Sequence, residues 1–221
     1  MSSHIPYPSS KPLNPDELIQ QCANYHAFLE KRRSLRFFSD HPVPREAVEQ
    51  LIMAASSAPS GANKQPWTFC AVGSLELKKQ IREAAEEEEY RSYHGRMSKE
   101  WLRDLAPFDT DWRKPFLETA PWLIIVFRRI YEFGEEGKKE NNYYVNESVG
   151  LACGFLLTAL HQAGLVALTH TPSPMDFLTK LLGRPANEKP FLLIPIGYPA
   201  PDATVPDIQR KPAERVIAWY E

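Results

Sequence analysis

The length, composition and charge of the chain exclude several classes of protein. Its 221 residues are 43% hydrophobic and 24% charged, with a formal net charge of −2. This length favours one large hydrophobic core, and the near-neutral charge predicts no basic face for nucleic acid. The longest apolar stretch, Val149 to Leu160, is well short of the roughly 20 residues that span a bilayer. We therefore expect a soluble protein that binds neither nucleic acid nor membranes.

The N-terminal residues and the cysteines bear on location. The first 20 residues contain no apolar signal segment. Cys22, Cys70 and Cys153 are widely spaced and form no Cys-x-x-Cys pair. Such a pattern is typical of reduced thiols in the cytoplasm rather than of disulfides or a zinc site, so we expect a cytoplasmic protein without a metal ion.

The first predicted elements are an arm and a helix. Residues 1–13 are rich in proline and serine, which favours an extended N-terminal arm. Asn14 then has the features of an N-cap, with Pro15 at the first helical position and Glu17 completing a capping box. Apolar residues follow at helical spacing: Leu18, Cys22, Tyr25 and Leu29.

Later in the chain, apolar patterns predict further helices and a few strands. Helices are expected at Pro44–Ser57, after the N-cap Ser74, at Asn146–Leu165 and after Ser173; strands are expected at Trp67–Val72, Pro121–Phe127 and Phe191–Tyr198. The mainly helical order with three or four strands predicts an α+β fold. The Asn146–Leu165 helix is apolar on several sides, so we expect the domain or a dimer partner to cover it.

A strongly charged segment lies between the helix predicted after Ser74 and the strand predicted at Pro121–Phe127. Just over half of the residues from Arg82 to Asp104 are charged, and aromatic residues such as Tyr93 and Trp101 lie among them. The charges predict a solvated or mobile segment. An active-site lid over about residues 82–115 fits this mixture, and an amphipathic surface helix fits the segment equally well when it is taken alone.

Two motifs indicate a phosphorylated cofactor that carries an aromatic ring. Arg32-Arg33-Ser34-Leu35-Arg36 places three guanidinium groups around a hydroxyl, an arrangement that suits a phosphate dianion. The loop Ser57 to Trp67 is rich in small and amide residues, which can line a flat ring with polar edges. A basic edge before a strand is the structural alternative for the first motif.

Together with Thr169-His170-Thr171-Pro172 and Gln209-Arg210-Lys211-Pro212, these motifs resemble the flavin-dependent nitroreductase superfamily and, within it, the iodotyrosine deiodinases. The resemblance runs in order from about Leu29 to about Ile217. It implies a nitroreductase-like fold, with a mixed β-sheet flanked by helices, and an intertwined homodimer with FMN at the subunit interface. A C-terminal extension, about residues 200–221, would contact the partner subunit.

The resemblance also implies which residues bind FMN. The phosphate and the ribityl chain would contact Arg32, Arg33, Ser34, Arg36 and Arg210. The isoalloxazine would contact Pro59, Ser60, Gly61, Thr169 and Thr171. The Thr171 hydroxyl would bond to flavin N5, which favours one-electron chemistry over hydride transfer; outside the family context, a simple cap before Pro172 explains the same residue.

The substrate implied by the resemblance is a halotyrosine. The Ala62 amide would bind its phenolate, which gives Ala62 and Thr171 catalytic roles. Glu89 would take the α-ammonium and Lys114 the α-carboxylate, while Tyr93 would donate to the carboxylate or stack beside it. Glu89 and Tyr93 are four residues apart and share a helix face. Taken alone, Glu89 is readily explained as ordinary surface charge, and only its spacing relative to Tyr93 and Lys114 indicates a role in substrate binding.

The sequence therefore predicts FMN-dependent reductive dehalogenation of 3-halotyrosines with an unidentified electron donor. One alternative is a general nitroreductase or quinone reductase that uses NAD(P)H, and another is a non-catalytic, flavin-bound amino-acid-binding protein. His170 is interpreted as structural rather than as an acid. The animal deiodinases carry an N-terminal membrane anchor that this sequence lacks, so we expect a cytoplasmic relative of bacterial type.

Overall fold

A computed structural model describes residues 4–221, which form two units, residues 4–32 and 33–221. The first three residues of the predicted arm lie outside the described residues, and positions 4–13 are exposed and irregular. In the first unit, helix α1 (Pro15–Glu30) begins at the predicted capping box. Asn14 Oδ1 accepts from the Glu17 N–H at 2.9 Å, and Glu17 Oε2 accepts from the Asn14 N–H at 3.2 Å.

The second unit contains helices on both sides of a central sheet. Its helices are α2 (Arg45–Ser56), α3 (Leu75–Arg91), α4 (Lys99–Leu105), α5 (Phe116–Thr119), α6 (Val145–Gln162) and α7 (Asp176–Leu181). Its strands are β1 (Trp67–Val72), β2 (Trp122–Arg129), β3 (Tyr131–Phe133), β4 (Lys139–Asn141), β5 (Val166–Ala167) and β6 (Glu188–Gly197). The structure thus confirms the predicted α+β class and all three predicted strands.

The central sheet has the strand order β1-β2-β6-β5, and its strand pairs are antiparallel. A parallel bridge between Ser34 and Ala167 extends it at the β5 edge and makes the sheet mixed. The strands β3 and β4 form a separate hairpin. The bridge places the Arg33–Arg36 segment directly beside the strand that leads into Thr169–Thr171.

Both faces of the sheet are buried, as the continuous apolar run in β2 predicts. Ile124 and Val126 point to the face covered by α2 and α6, whereas Leu123, Ile125 and Phe127 point to the face covered by α3, α5 and α7. All five side chains are 0% exposed. The result is a three-layer unit whose sheet is a rigid platform for the residues at its edges.

The structure corrects the expectation that the charged segment after Arg82 is solvated throughout. Residues 82–91 form the second half of α3, which begins after its predicted N-cap, Ser74. One stripe of this helix faces the interior, where Ala85 is 0% and Glu89 is 8% exposed. Helical periodicity turns every third or fourth residue inward, so a high mean charge does not keep each carboxylate in solvent.

Helix α6 is covered on one side within a single chain. Val149, Ala152 and Leu156 are fully buried, while Leu151 and Phe155 remain 49% and 43% exposed. Within residues 4–221, no helix is long and apolar enough to cross a membrane. The exposed side of α6 is therefore an apolar face that the described chain leaves uncovered.

Candidate active site

A cavity of about 580 Å³ opens between α3, the turn that follows it, the loop before α5 and the chain after β5. It collects six of the residues singled out from the sequence: Arg36, Glu89, Tyr93, Lys114, Thr169 and Thr171. Four separate parts of the chain contribute them. The tertiary structure therefore brings three of the four predicted substrate residues together with part of the predicted cofactor residues.

Glu89 and Lys114 form a buried ion pair in the cavity wall. Lys114 Nζ lies 3.8 Å from Glu89 Oε2, and the two residues are only 4% and 8% exposed. Nζ also donates to Thr110 Oγ1 at 3.3 Å and to the Asp111 carbonyl. The Tyr93 ring lies on the same ammonium, with its centroid 5.4 Å from Nζ.

Burial acts against both charges of this pair. It raises the pKa of Glu89 above its usual range, an effect that the nearby Lys114 ammonium opposes. Burial likewise lowers the pKa of Lys114, opposed chiefly by the Glu89 carboxylate. Each ion thus depends on the other, or on a ligand that replaces it, to remain charged in a poorly solvated place.

Tyr93 is held as a neutral phenol. Its hydroxyl donates to the Thr110 carbonyl at 3.2 Å. Burial raises its pKa, and the Glu89 charge adds to this effect. Tyr93 can therefore offer a hydrogen bond, an aromatic face or both to a ligand in the cavity.

Glu86 is a supporting residue that the sequence analysis missed. Its Oε1 accepts from the Lys114 backbone N–H at 2.6 Å, while its other oxygen accepts from Arg82. Glu86 lies three residues before Glu89, so the two share one face of α3, and Tyr93 follows in the turn after this helix. That spacing was a readable signal, but the contact with Lys114 depends on a loop 28 residues away.

His170 also lines the cavity. Its backbone pairs with Leu193 through bonds of 2.9 and 3.0 Å, and its ring packs edge-on against Phe116 with centroids 5.9 Å apart. Burial, aided by the positive charges of Lys114 and Arg36, lowers its pKa to about 3. The imidazole is therefore neutral at physiological pH and is not suited to act as an acid.

Arg36 is a half-buried guanidinium that fits an anionic ligand. It lines the first cavity and, with Ser34, an adjoining cavity of about 590 Å³. Its guanidinium carbon lies 5.6 Å from the centroid of the Phe108 ring, and burial lowers its pKa. Among residues 4–221, no carboxylate lies within 4.0 Å of it. A phosphate or another anion would compensate this charge.

The other predicted cofactor arginines lie in three settings. Arg33 donates to the Pro206 carbonyl and so ties the C-terminal segment to the start of the second unit. Arg32 ends the first unit, where its N–H donates to the Leu29 carbonyl at 3.0 Å. Arg210 lies in the exposed C-terminal segment. The cofactor roles of Arg32, Arg33 and Arg210 stay predictions.

The loop with Pro59, Ser60, Gly61 and Ala62 lines neither cavity. Ser60 Oγ closes it by accepting from the Gln65 N–H at 2.9 Å, and the Gly61 N–H donates to Ser148 Oγ at 3.4 Å. Ala62 has a left-handed backbone, with φ 50° and ψ 29°.

This loop leads into β1, whereas Thr169–Thr171 extend β5 at the opposite edge of the sheet. Three strand spacings put these edges about 14 Å apart. The predicted ring contacts at Pro59–Gly61 and at Thr169–Thr171 therefore lie toward different edges of the sheet within one chain.

The chain is similar in sequence to several known proteins. Residues 29–198 match the model of the nitroreductase family. The iodotyrosine deiodinase of Haliscomenobacter hydrossis is 58% identical over 216 residues, covering 98% of this chain and 97% of the relative. Iodotyrosine deiodinase 1 of Homo sapiens is 44% identical over 215 residues, covering 97% and 74%.

A solved structure is also similar. It is a crystal structure of oxidized iodotyrosine deiodinase bound to FMN and 3-iodo-L-tyrosine. It superposes with a TM-score of 0.75 at 33% identity, covering 89% of this chain and 98% of that one.

Proposed function

The chain belongs to the nitroreductase family, and we propose that it is an FMN-dependent oxidoreductase that removes halide reductively from 3-halotyrosines. Its similarity to iodotyrosine deiodinases from a bacterium and from animals supports this function. The observation that carries the proposal is the buried Glu89–Lys114 pair in the cavity wall. Such a pair has the charges needed to bind an amino-acid zwitterion.

The binding of a zwitterion follows from the charges. A free amino acid carries an ammonium and a carboxylate on neighbouring atoms, and it is neutral overall. When it enters between Glu89 and Lys114, one ion pair is replaced by two: ammonium with Glu89 and carboxylate with Lys114. Both protein charges keep a partner, so the ligand pays no penalty for an isolated buried charge.

A ligand that carries only one of the two charges binds with a free-energy penalty. A phenol or an amine that separates Glu89 from Lys114 leaves at least one buried ion unpaired. Removing one partner of a buried pair typically costs about 3–5 kcal/mol. The site should therefore select whole halotyrosines over halophenols, which separates the proposed enzyme from a general reductase of nitroaromatics or quinones.

The residues present fit FMN. Arg36 supplies a half-buried positive charge without a carboxylate partner among the described residues, and Ser34 lies beside it. We assign the phosphate and ribityl chain to this group together with Arg32, Arg33 and Arg210. Thr169 and Thr171 line the cavity and would contact the ring, with the Thr171 hydroxyl at N5. Bound FMN supplies the electrons for the reaction, one at a time.

The reaction replaces one bond at the aromatic ring. The carbon–halogen bond breaks, the halide leaves with the bonding electron pair, and a carbon–hydrogen bond forms after the uptake of two electrons and one proton. In this chain, the Ala62 N–H would hold the phenolate oxygen. Glu89, Tyr93 and Lys114 would fix the amino-acid end of the substrate and, by covering it, exclude water from the ring.

A homodimer would bring the two halves of the site together. The Pro59–Ala62 loop lines neither cavity, so a second copy of the chain is the simplest source of that loop. Leu151 and Phe155 on α6 offer an uncovered apolar face. The C-terminal segment also exposes large apolar side chains: Val216, Ile217, Trp219 and Tyr220. We assign residues 200–221 to the partner contact and residues 82–115 to the lid.

The electron donor and the cellular location are not assigned by the site. No motif in the chain identifies the donor. A cytoplasmic location is supported by the cysteines, because Cys22, Cys70 and Cys153 are free thiols in the structure.

An anaerobic single turnover tests the proposed function. The FMN-loaded protein is reduced with dithionite, one equivalent of 3-iodotyrosine is added, and flavin absorbance, tyrosine and iodide are followed together. We expect reoxidation with stoichiometric tyrosine and iodide. A flavin that stays reduced with 3-iodotyrosine but is promptly reoxidised by a nitroaromatic compound would favour the general reductase. Saturable binding without halide release would favour the non-catalytic binding protein.

A further inference from the structure

The two carboxylate oxygens of Glu89 face different partners. Oε2 lies 3.8 Å from Lys114 Nζ, and Oε1 lies 3.9 Å from His170 Nε2. Both side chains around this carboxylate are almost fully buried, since His170 is 9% and Lys114 4% exposed. The carboxylate is therefore placed between a cation on one side and an imidazole on the other.

The Nε2 atom of His170 is buried and has no hydrogen-bond partner within the part of the chain that the structure describes. A buried ring nitrogen without a partner is costly, and native structures usually satisfy such atoms. The nearest acidic group is Glu89 Oε1, about 1 Å beyond ordinary hydrogen-bond distance. A small shift of the Glu89 side chain toward His170 would close this gap.

His170 is held firmly on the sheet, so it can orient a side chain that moves toward it. Its backbone is bonded in both directions to Leu193 of β6, and Phe116 supports its ring. Glu89, by contrast, lies near the end of α3, in the segment we assign to the lid. A donor fixed on the sheet can thus orient a carboxylate carried by the end of a helix.

We propose that His170 is a positioning residue that donates from Nε2–H to Glu89 Oε1 in the substrate complex, so that Oε2 is presented to the α-ammonium. The inference rests on the proposed function, because it assigns Glu89 to that ammonium. Substrate entry draws Lys114 toward the α-carboxylate, and the ammonium takes its place at Oε2. His170 then holds the oxygen that the ammonium does not use.

The neutral state of His170 agrees with this role. Its pKa of about 3 reflects burial and the facing positive charges of Lys114 and Arg36. A neutral imidazole can still donate one N–H, and it adds no second positive charge that would compete with the ammonium for Glu89. Proton donation to the substrate ring is not expected of a group that is uncharged at neutral pH.

Binding measurements on the FMN-loaded protein test the proposal. The ligands are 3-iodotyrosine and its desamino analogue, 3-(4-hydroxy-3-iodophenyl)propanoate, which keeps the carboxylate but lacks the ammonium. Dissociation constants are measured by calorimetry for the unaltered protein, His170→Leu and His170→Gln. Leucine removes the donor at similar volume, whereas the glutamine amide restores an N–H at a similar reach.

We expect His170→Leu to raise the dissociation constant of 3-iodotyrosine about tenfold, the effect of losing a hydrogen bond to a charged group. The constant for the desamino analogue should change less than about twofold, and His170→Gln should recover most of the loss. In a Glu89→Gln background, His170→Leu should have no further effect on 3-iodotyrosine. If His170→Leu does not fold, His170→Met serves as the donor-free variant.

Three results would overturn the inference alone: unchanged 3-iodotyrosine binding, an equal loss for both ligands, or a loss that persists in the Glu89→Gln background. The last two would indicate that His170 only packs the cavity. If the unaltered protein binds neither ligand, the proposed function fails and the inference fails with it. These outcomes are therefore distinguishable.

Discussion

The substitution Lys114→Met tests most directly whether Glu89 and Lys114 bind the amino-acid zwitterion of the substrate. It keeps an unbranched apolar stem and removes the ammonium that lies 3.8 Å from Glu89 Oε2. The α-carboxylate of a halotyrosine then loses its cation. Burial, which already raises the pKa of Glu89, is no longer opposed by Lys114, so that carboxylate also becomes easier to protonate.

The size of the effect follows from burial. Exposed ion pairs contribute about 0–1 kcal/mol, but Lys114 and Glu89 are 4% and 8% exposed, so the buried range of about 3–5 kcal/mol applies. We take the lower end, because Glu89 can bind a proton and so escape part of the penalty. About 3 kcal/mol corresponds to a rise of roughly a hundredfold in the dissociation constant of 3-iodotyrosine.

The assay compares 3-iodotyrosine with 3-iodotyramine, which keeps the ammonium and lacks the carboxylate. In the unaltered protein, iodotyramine leaves Lys114 buried and unpaired, and Lys114→Met removes that penalty. Calorimetry on the FMN-loaded variant should therefore show a large loss for iodotyrosine and no loss for iodotyramine. Lys79→Met, at an exposed position on α3, is the matched control. Equal losses for both ligands, or unchanged iodotyrosine binding, would refute the reasoning.

Three more predictions follow from the site and the uncovered surfaces. Thr171→Ala should slow iodide release in the anaerobic single turnover about tenfold through the loss of one hydroxyl, while Thr171→Ser keeps the rate; equal rates in both variants would remove the hydroxyl from the reaction. Affinity for 3-iodotyrosine should fall as the pH drops through the raised pKa of Glu89, because only the carboxylate binds an ammonium. A titration from about pH 8 to about pH 4 should show this fall, and Glu89→Gln should bind weakly at every pH. Phe155→Glu should weaken self-association in sedimentation experiments and lower FMN occupancy, whereas Leu75→Glu, which is also exposed, should not; a Phe155→Glu protein that stays dimeric would exclude that face.

Helices and strands that depend on interactions between nearby residues could be predicted from the sequence. The caps at Asn14 and Ser74 depend on side chains that reach backbone groups three residues away, so the pattern itself contains both partners. The strand in Pro121–Phe127 was equally clear, because a continuous apolar run of that length is typical of a strand buried on both faces. In each case, the interaction spans a few residues and needs no knowledge of the rest of the chain.

Features that depend on distant contacts were not readable in the same way. The mean charge of the segment after Arg82 predicted that the segment is solvated. In the tertiary structure, however, the Glu89 side chain is buried and lines a cavity. Glu86 reaches the Lys114 backbone across 28 residues, and His170, which follows β5, lies 3.9 Å from Glu89 although 81 residues separate them in the chain. No local pattern specifies which carboxylate will meet which donor.

The division between sequence and structure is therefore a physical one. By itself, the sequence predicted helices α1, α2, α3, α6 and α7 and strands β1, β2 and β6. It also revealed the guanidinium-rich motif around Arg36 and the residue types that suit a flavin and an amino acid. Only the tertiary structure decided that Glu89 and Lys114 are buried together, that His170 faces the same carboxylate, and that the Ala62 loop lies apart from them. Those properties depend on burial and on distance between charges, and both are set by how remote parts of the chain pack, not by the order of neighbouring residues.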